Sequence, residues 1–550
     1  MHATPTRPLG RLGYAALVLL TLAPVALQGL WRPLAQALHL TVDAVGLARA
    51  AVAVAAVAVI VGGLCQGRAS ARWAPGVGAA LAAAALGLLI GRDGAAIAVI
   101  GALGGVAALC GALLPWLLSR LPEELDAQAV RHKGVTAVMV GLGALAVHQT
   151  LRLSVFMGDA THPELSMAPD IPFFVRHSCL TAYVEGARLA VAGVPNLYDL
   201  ALWPHLTGSA EAQANELAYA PFGLDSYAYP PPFLLLPRLL LTPLSDFAAQ
   251  RAVWFALNGL VVAAGLWSIS NWIGGRAGRI ALLLAPAIWI SPLVLGTLQV
   301  GNVHRMVMVA AMVARVAFET RRPALGGALL AFAVVSKISP GLLIVLLLLQ
   351  RRFREVIWTG IWGLGYALAG LAVFGIAPYR AFLSYELPRL SSGEAMTFLA
   401  WPESVIINLA PFGLPFRLAA LGLDVGDPWV LGRLCGQVFT LALLGLTVLA
   451  ARRVGDPRDR AEVWAALLTL SALRSPLAPG YALFTLLWLM STRAATLRGL
   501  AQAAGLAALW VGVSLPTPGT GAVQLAIALG QQALAIGLTL TYLLRPANPR

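Results

Sequence analysis

Residues 321–354 read RRPALGGALLAFAVVSKISPGLLIVLLLLQRRFR, an apolar run closed at both ends by arginines, with one lysine and one proline at its middle. Basic residues in short loops stay on the cytoplasmic side of a membrane. With both ends held on one side, the run has to enter the bilayer and return. It is too short for two spans of ~20 residues each, and Pro340 interrupts a helix by removing a donor and clashing with the preceding turn. Stretch 324–350 is therefore a hairpin whose tip is SKISP. Irregular backbone at membrane depth is tolerated only where it is buried in protein or lines a wet cavity, so such a tip is a candidate site.

The rest of the chain agrees in class. Of 550 residues 59% are hydrophobic and 11% charged, against ~25% charged in soluble domains. The expectation is an all-α polytopic membrane protein with about 12–17 transmembrane or re-entrant helices. A net charge of +14 would suggest nucleic acid in a soluble protein. Here the basic residues sit mainly in short loops, where topology accounts for them and no nucleic-acid partner is expected. Cys65, Cys110, Cys179 and Cys435 indicate no disulfide framework, since three lie in apolar runs. The apolar N-terminal run reads as a first span and not as a signal peptide.

The basic clusters ETRRP, QRRFRE, ARRVGDPRDR and STRAATLR read as cytoplasmic, as do both termini. Two more hairpins follow from the same logic: 462–492 with RSPLAPG at its tip, and 280–318 with QVGNVHR at its tip. Two long polar loops, 154–228 and 378–428, then lie outside. The expected organisation is an N-terminal four-span extension (1–133), a core (134–498) and a C-terminal two-span segment (499–550). The stretch YPPPFLLLPRLLL (229–241) and its neighbour to 279 cannot both be full spans with these ends fixed, so one is re-entrant or interfacial. Four broken segments thus converge at one membrane level beside the long loops, an arrangement transporters also use.

Charge in costly places picks out residues. Of two lysines, Lys133 lies in a basic loop and Lys337 in the SKISP tip. A charge at mid-bilayer costs ~2.5–3.5 kcal/mol and is a functional candidate, with snorkelling to the interface as the alternative. Arg474, His304 and Arg305 stand at the other tips in the same way, and with Lys337 they suit an anionic lipid headgroup such as phosphate. Arg238 reads equally well as a snorkelling residue. In the first long loop, Asp170 in MAPDIPFFVRHS is flanked by prolines and aromatics that would rest it on the membrane, which suits a general base. The loop's other acids, Asp225 among them, read as solvated. In the second loop Tyr385, Glu403 and Asn408 are placed to meet a polar acceptor, with Tyr229, Gln299 and Asn302 at the tips. No phosphate-binding glycine loop and no His/Cys metal spacing is visible, and small residues in GALGGVAALCGALL (101–114) read as helix packing.

Several motifs in order resemble glycosyltransferase family 87: AYVEGARLAVAGVPNLYD (182–199), YAYPPPFLLLPRLLL (227–241), LQVGNVHRMVMV (298–309), RRPALGGALLAFAVVSKISPGLLIVLLLLQRRFR and LRSPLAPGYALFTLLWLM (473–490). Members with the GT-C fold are polyprenyl-phosphate-mannose-dependent α-1,2-mannosyltransferases. The resemblance implies an inverting hexose transfer, mannose favoured, from a polyprenyl-phosphate donor to a glycan or glycolipid acceptor outside a bacterial plasma membrane, among membrane lipids; no cofactor and no metal cage are expected from the residues, and a carboxylate-bound divalent ion is left open. Lys337, His304, Arg474 and Arg305 would hold the donor phosphate, and an acid of the first loop would take the acceptor proton. The family's acid precedes an aromatic pair. That position falls on Cys179 when aligned on AYVEGARL, so Asp170 becomes the candidate with Asp159 and Glu185 as alternatives. The motif order QVGN and the lack of histidine after RSP depart from the family. A transporter or lipid flippase and a glycan ligase or polymerase are the alternative functions.

Overall fold

Proline and glycine set the helix ends in this chain. The computed structural model describes residues 9–65, 73–92, 94–203, 210–453, 455–516 and 519–545. Both chain ends, and most of the basic loop 66–73, lie outside the described residues. Eight described helices are long and apolar enough to cross a membrane: Gly10–Leu38, Ala44–Leu64, Ala96–Arg120, Lys133–Gly158, Phe247–Ile273, Phe353–Phe374, Pro428–Ala451 and Ala522–Leu544. A bent pair, Pro292–Val300 and His304–Glu319, would make a ninth. Five further apolar helices of 10–17 residues include Pro231–Leu240, Pro323–Ser336 and Ser339–Leu349. The protein is an all-α polytopic membrane protein. Among the described residues the only β pairing is an isolated parallel bridge, His177 with Gly223.

The chain forms two compact units that are not contiguous in sequence. The first is Met1–Arg176 with Pro243–Leu260 and Leu283–Ile290; the second is His177–Thr242, Val261–Leu282 and Ser291–Arg550. In the first unit small side chains set the packing. Ala48, Ala51, Ala55 and Ala58 repeat at helical spacing along Ala44–Leu64 and are all fully buried. A Cβ on Gly111 would come 2.4 Å from the Gly76 Cα, so the 101–114 stretch brings two helices into backbone contact, as small residues in membranes do. Polar struts complete the unit: Asp126 accepts from the Arg11 Nε at 2.7 Å, and Arg251 donates to the Phe156 carbonyl at 2.6 Å.

The second unit holds the hairpins. Pro323–Ser336 ends at Lys337, whose backbone is extended (φ −145°, ψ 129°), and a 3₁₀ turn Ser339–Gly341 restarts the helix as Leu342–Leu349. The two ends of this stretch return to one place: Glu319 accepts from Arg352 at 2.5 Å, and also pairs with Arg315 at 3.0 Å and Arg460 at 3.2 Å. Three basic loops are therefore joined at one carboxylate. The 462–492 stretch closes in the same manner, Thr492 donating to Glu462 at 3.1 Å. The third hairpin is shorter than 280–318. Its arms are Pro292–Val300 and His304–Glu319, bent by 117° around Gly301, whose left-handed backbone (φ 72°) permits the sharp turn. Leu283–Ile290 belongs to the first unit instead.

YPPPF behaves as its prolines dictate. Pro230 is extended, Pro231–Leu234 forms a 3₁₀ turn, and only Leu235–Leu240 is α-helical. Arg238 turns back to Thr242 at 2.7 Å and has no role at a tip.

Candidate functional site

Five segments of the second unit meet at one cluster of polar and aromatic side chains. The first is the approach to the helix Cys179–Val191. Ser178 is extended (φ −147°, ψ 111°), so His177 and Cys179 project to the same side, as residues two apart do in a strand. Their neighbour is the 223–229 segment, held by the His177–Gly223 bridge and by Thr181, which accepts from the Asp225 N–H at 3.0 Å and donates to the Gly223 carbonyl at 3.2 Å. This brings the His177 Nε2 within 3.4 Å of the Cys179 Sγ and 3.8 Å of the Asp225 Oδ2.

The bent helix pair contributes Asn302 and His304. Asn302 donates its side-chain amide to the Cys179 Sγ at 3.3 Å, and its carbonyl oxygen caps the His304 N–H at 3.0 Å. His304 is buried, packs against the Tyr481 ring at a 47° tilt with centroids 5.0 Å apart, and neither ring nitrogen makes a hydrogen bond. The SKISP break supplies Lys337, whose Nζ lies 5.4 Å from the ring centroids of both Tyr229 and Tyr481. Tyr183 locks the pieces together: its hydroxyl donates to the Tyr229 hydroxyl at 3.0 Å and accepts from the Val303 N–H at 3.1 Å. Burial, with Asp225 adding to it, pushes the Cys179 thiol up to about 12; the Asn302 donor and Lys337 act against this.

The expected site residues divide into groups. Lys337, His304, Tyr229 and Asn302 are in this cluster. Arg305, although next to His304, points elsewhere. It is fully buried, donates to the Tyr481 carbonyl and to Thr297 Oγ1, each at 3.0 Å, and lies 4.7 Å over the Phe484 ring. It is a strut between two tips. Arg474 is exposed and donates to Thr440 at 3.1 Å. Gln299 is buried in its helix. Glu185 is 1% exposed and saturated: Arg188 donates to it at 2.6 and 2.9 Å and Tyr219 at 2.8 Å. Such a carboxylate holds loop structure.

In the second long loop, Asn408 is a junction. It donates to the Pro476 carbonyl at 2.8 Å and accepts from the Ala410 and Ala478 N–H groups at 3.0 Å each, fastening the loop to the RSP tip. Tyr385 lies under the Arg389 guanidinium at 4.5 Å and Glu403 is exposed. Next to Tyr385, burial lifts the Glu386 carboxyl from its usual 4.5 to about 7, with Arg389 opposing. Asp170 and Asp159 belong to the first unit. Asp170 stands in an exposed turn; Asp159 accepts from Thr161 at 2.7 Å and faces Arg32 at 3.9 Å.

His177, Asp225 and Tyr183 were not singled out by sequence. Although the sequence has no His/Cys metal spacing, the fold brings His177, Cys179 and Asp225 together, with ligand-type atoms within 4.8 Å of one another. The spacing escapes a linear search because the third member arrives through a non-local bridge. A His-x-Cys pair on an extended segment was the available signal.

No curated protein and no solved structure matches the chain. The model of glycosyltransferase family 87 matches residues 227–477, a stretch that contains Tyr229, Asn302, His304 and Lys337. Over residues 227–477 the chain is thus similar to glycosyltransferase family 87.

Proposed function

We propose that this membrane glycosyltransferase moves a hexose, mannose favoured, from a polyprenyl-phosphate carrier to a lipid-linked or envelope glycan on the extracytoplasmic face. The observation that supports this best is Lys337: an ammonium at a helix break, between two tyrosine rings, in ion-pair contact with no carboxylate among the described residues. A cation kept without an internal counter-ion suits an anionic substrate group, and a phosphate leaving group gains most from it as the glycosidic bond breaks. His304, with both ring nitrogens unengaged, is the second phosphate contact.

The acceptor approaches from the His177–Asp225 side. Asp225 takes the hydroxyl proton, the oxygen's electron pair forms the new bond to the anomeric carbon, and the carbon–oxygen bond to phosphate breaks with its pair leaving on the phosphate. Attack from the face opposite the phosphate inverts the anomeric centre. Positioning, a base and anion stabilisation carry the rate. Asp170 is the rival base.

The test is transfer by purified full-length protein given labelled polyprenyl-phosphate sugars and membrane glycolipid extract. A glycosidic product, lost in Asp225→Asn and kept in Asp170→Asn, is the expected result. Product lost only in Asp170→Asn would reassign the base. Movement of lipid across a vesicle with no glycosidic product would overturn the transferase chemistry in favour of a flippase.

A further inference from the structure

The transfer step above has no use for a thiol, yet the Cys179 sulfur has two polar partners, His177 and Asn302, and no cysteine to pair with. The Sγ to Nε2 distance is 3.4 Å, and Nε2 to the Asp225 Oδ2 is 3.8 Å. A tetrahedral zinc ion with Zn–S ~2.3 Å and Zn–N or Zn–O ~2.0–2.2 Å sets its ligand atoms roughly 3.3–3.6 Å apart. Two edges of the triangle, 3.4 and 3.8 Å, are close to those of such a tetrahedron, and the third is within 4.8 Å, so small side-chain adjustments would close the three atoms on one ion.

The surroundings match the demands of a metal. His177 and Cys179 share one side of an extended segment, and the bridge to Gly223 fixes Asp225 against them. Outer hydrogen bonds orient the ligands: Asn302 donates to the sulfur at 3.3 Å, and the Ser226 N–H donates to the Asp225 Oδ1 at 3.0 Å, which leaves Oδ2 facing the histidine. A thiolate and a carboxylate together balance a dication. Cys179 is only 8% exposed, but His177 and Asp225 are about a quarter exposed, so the cluster is reached by solvent from their side. Three protein ligands with one open position is the arrangement of zinc sites that act on a bound hydroxyl; structural sites close all four.

We infer that His177 Nε2, Cys179 Sγ and Asp225 Oδ2 bind one divalent cation of the zinc class, with its fourth position open to water or to the acceptor hydroxyl. The inference deepens the transferase reading and rests on it for its chemical purpose. A hydroxyl coordinated to a dication gives up its proton more readily. The proton passes to Asp225 through Oδ1, and the bonds that form and break are those already given.

Cobalt titration of the full-length protein in detergent, after chelator treatment, tests the site without reference to transfer. Cobalt bound through a thiolate gives a near-ultraviolet charge-transfer band, and tetrahedral geometry intensifies its visible bands. The expected result is one cobalt per chain with that band, displaced by zinc, absent in Cys179→Ser and weakened by roughly tenfold or more in His177→Ala and Asp225→Asn, and unchanged in Cys435→Ser. Should the Cys179 variant fail to fold, zinc-dependent elevation of the melting temperature in the wild type, lost in Asp225→Asn, reads the same site. No thiolate band in the wild type, or a band that survives Cys179→Ser, overturns the inference. Transfer activity without cobalt binding leaves the transferase reading standing alone; cobalt binding without transfer from any polyprenyl-phosphate sugar sustains the metal site and removes the transferase reading.

Discussion

Replacing Lys337 by methionine removes the ammonium and keeps an unbranched stem of similar reach. Its Nζ is 5.4 Å from each of two tyrosine ring centroids and forms no ion pair with a carboxylate among the described residues. The fold therefore loses only weak cation–π attraction, about 0.5–1 kcal/mol per ring, and no buried anion is orphaned. The donor loses more. A hydrogen bond to a charged group contributes about 1.5–3 kcal/mol, which converts to a loss of roughly 10- to 150-fold in kcat/KM. Because the phosphate gains charge as it leaves, part of that loss falls on kcat. The assay is initial-rate transfer from a labelled polyprenyl-phosphate sugar by detergent-purified variant, with the melting temperature measured in parallel. Lys337→Arg, which restores the charge with different geometry, should recover part of the rate. A folded Lys337→Met protein within twofold of wild-type kcat/KM would refute the phosphate role.

Three further variants probe the supports of the cluster. Asn408→Ala deletes three hydrogen bonds, two of them buried, and leaves two N–H groups and one carbonyl without this partner; at about 1–3 kcal/mol for each orphan and less than additive, the loss of stability should be roughly 3 kcal/mol, read as a fall in melting temperature. Glu185→Gln should lower the melting temperature by weakening the Arg188 and Tyr219 contacts while leaving kcat within a few-fold of wild type; abolished turnover in a folded protein would return Glu185 to the list of bases. Glu386 supplies a pH signature. Its folded carboxyl titrates at about 7 against the usual 4.5. As pH rises from 4.5 the unfolded chain loses this proton first, so stability falls up to about pH 7 and is flat above it. The whole change is on the order of 3 kcal/mol, and Glu386→Gln should flatten that slope in pH-dependent melting.

Much of this architecture can be read from charge and proline. Paired arginines at 321–322 and 351–352 demanded that the chain return to its starting side, and Glu319 joins the two ends. Pro340, Gly301 and the 230–232 prolines mark breaks that local backbone rules dictate. The direction of side chains at those breaks is another matter. His304 and Arg305 are adjacent and equally costly in sequence, but successive helical residues point ~100° apart, so one meets Tyr481's ring and the other ties down its carbonyl. Glu185 and Asp225 are both acids of the first long loop, and in sequence Glu185 is the better candidate base. An arginine three residues on and a distant tyrosine neutralise the first; a bridge to His177 exposes the second to chemistry. Such differences come from contacts between remote segments, and single-sequence patterns carry no signal for them.

The most direct measurement is a structure of the full-length protein with a non-transferable polyprenyl-phosphate sugar bound. Phosphate density within hydrogen-bond reach of the Lys337 Nζ and the His304 ring, with the anomeric carbon turned toward Asp225, is the expected result. Phosphate held instead at the Arg315–Arg352–Arg460 cluster around Glu319, with the Lys337 tip empty, would contradict it.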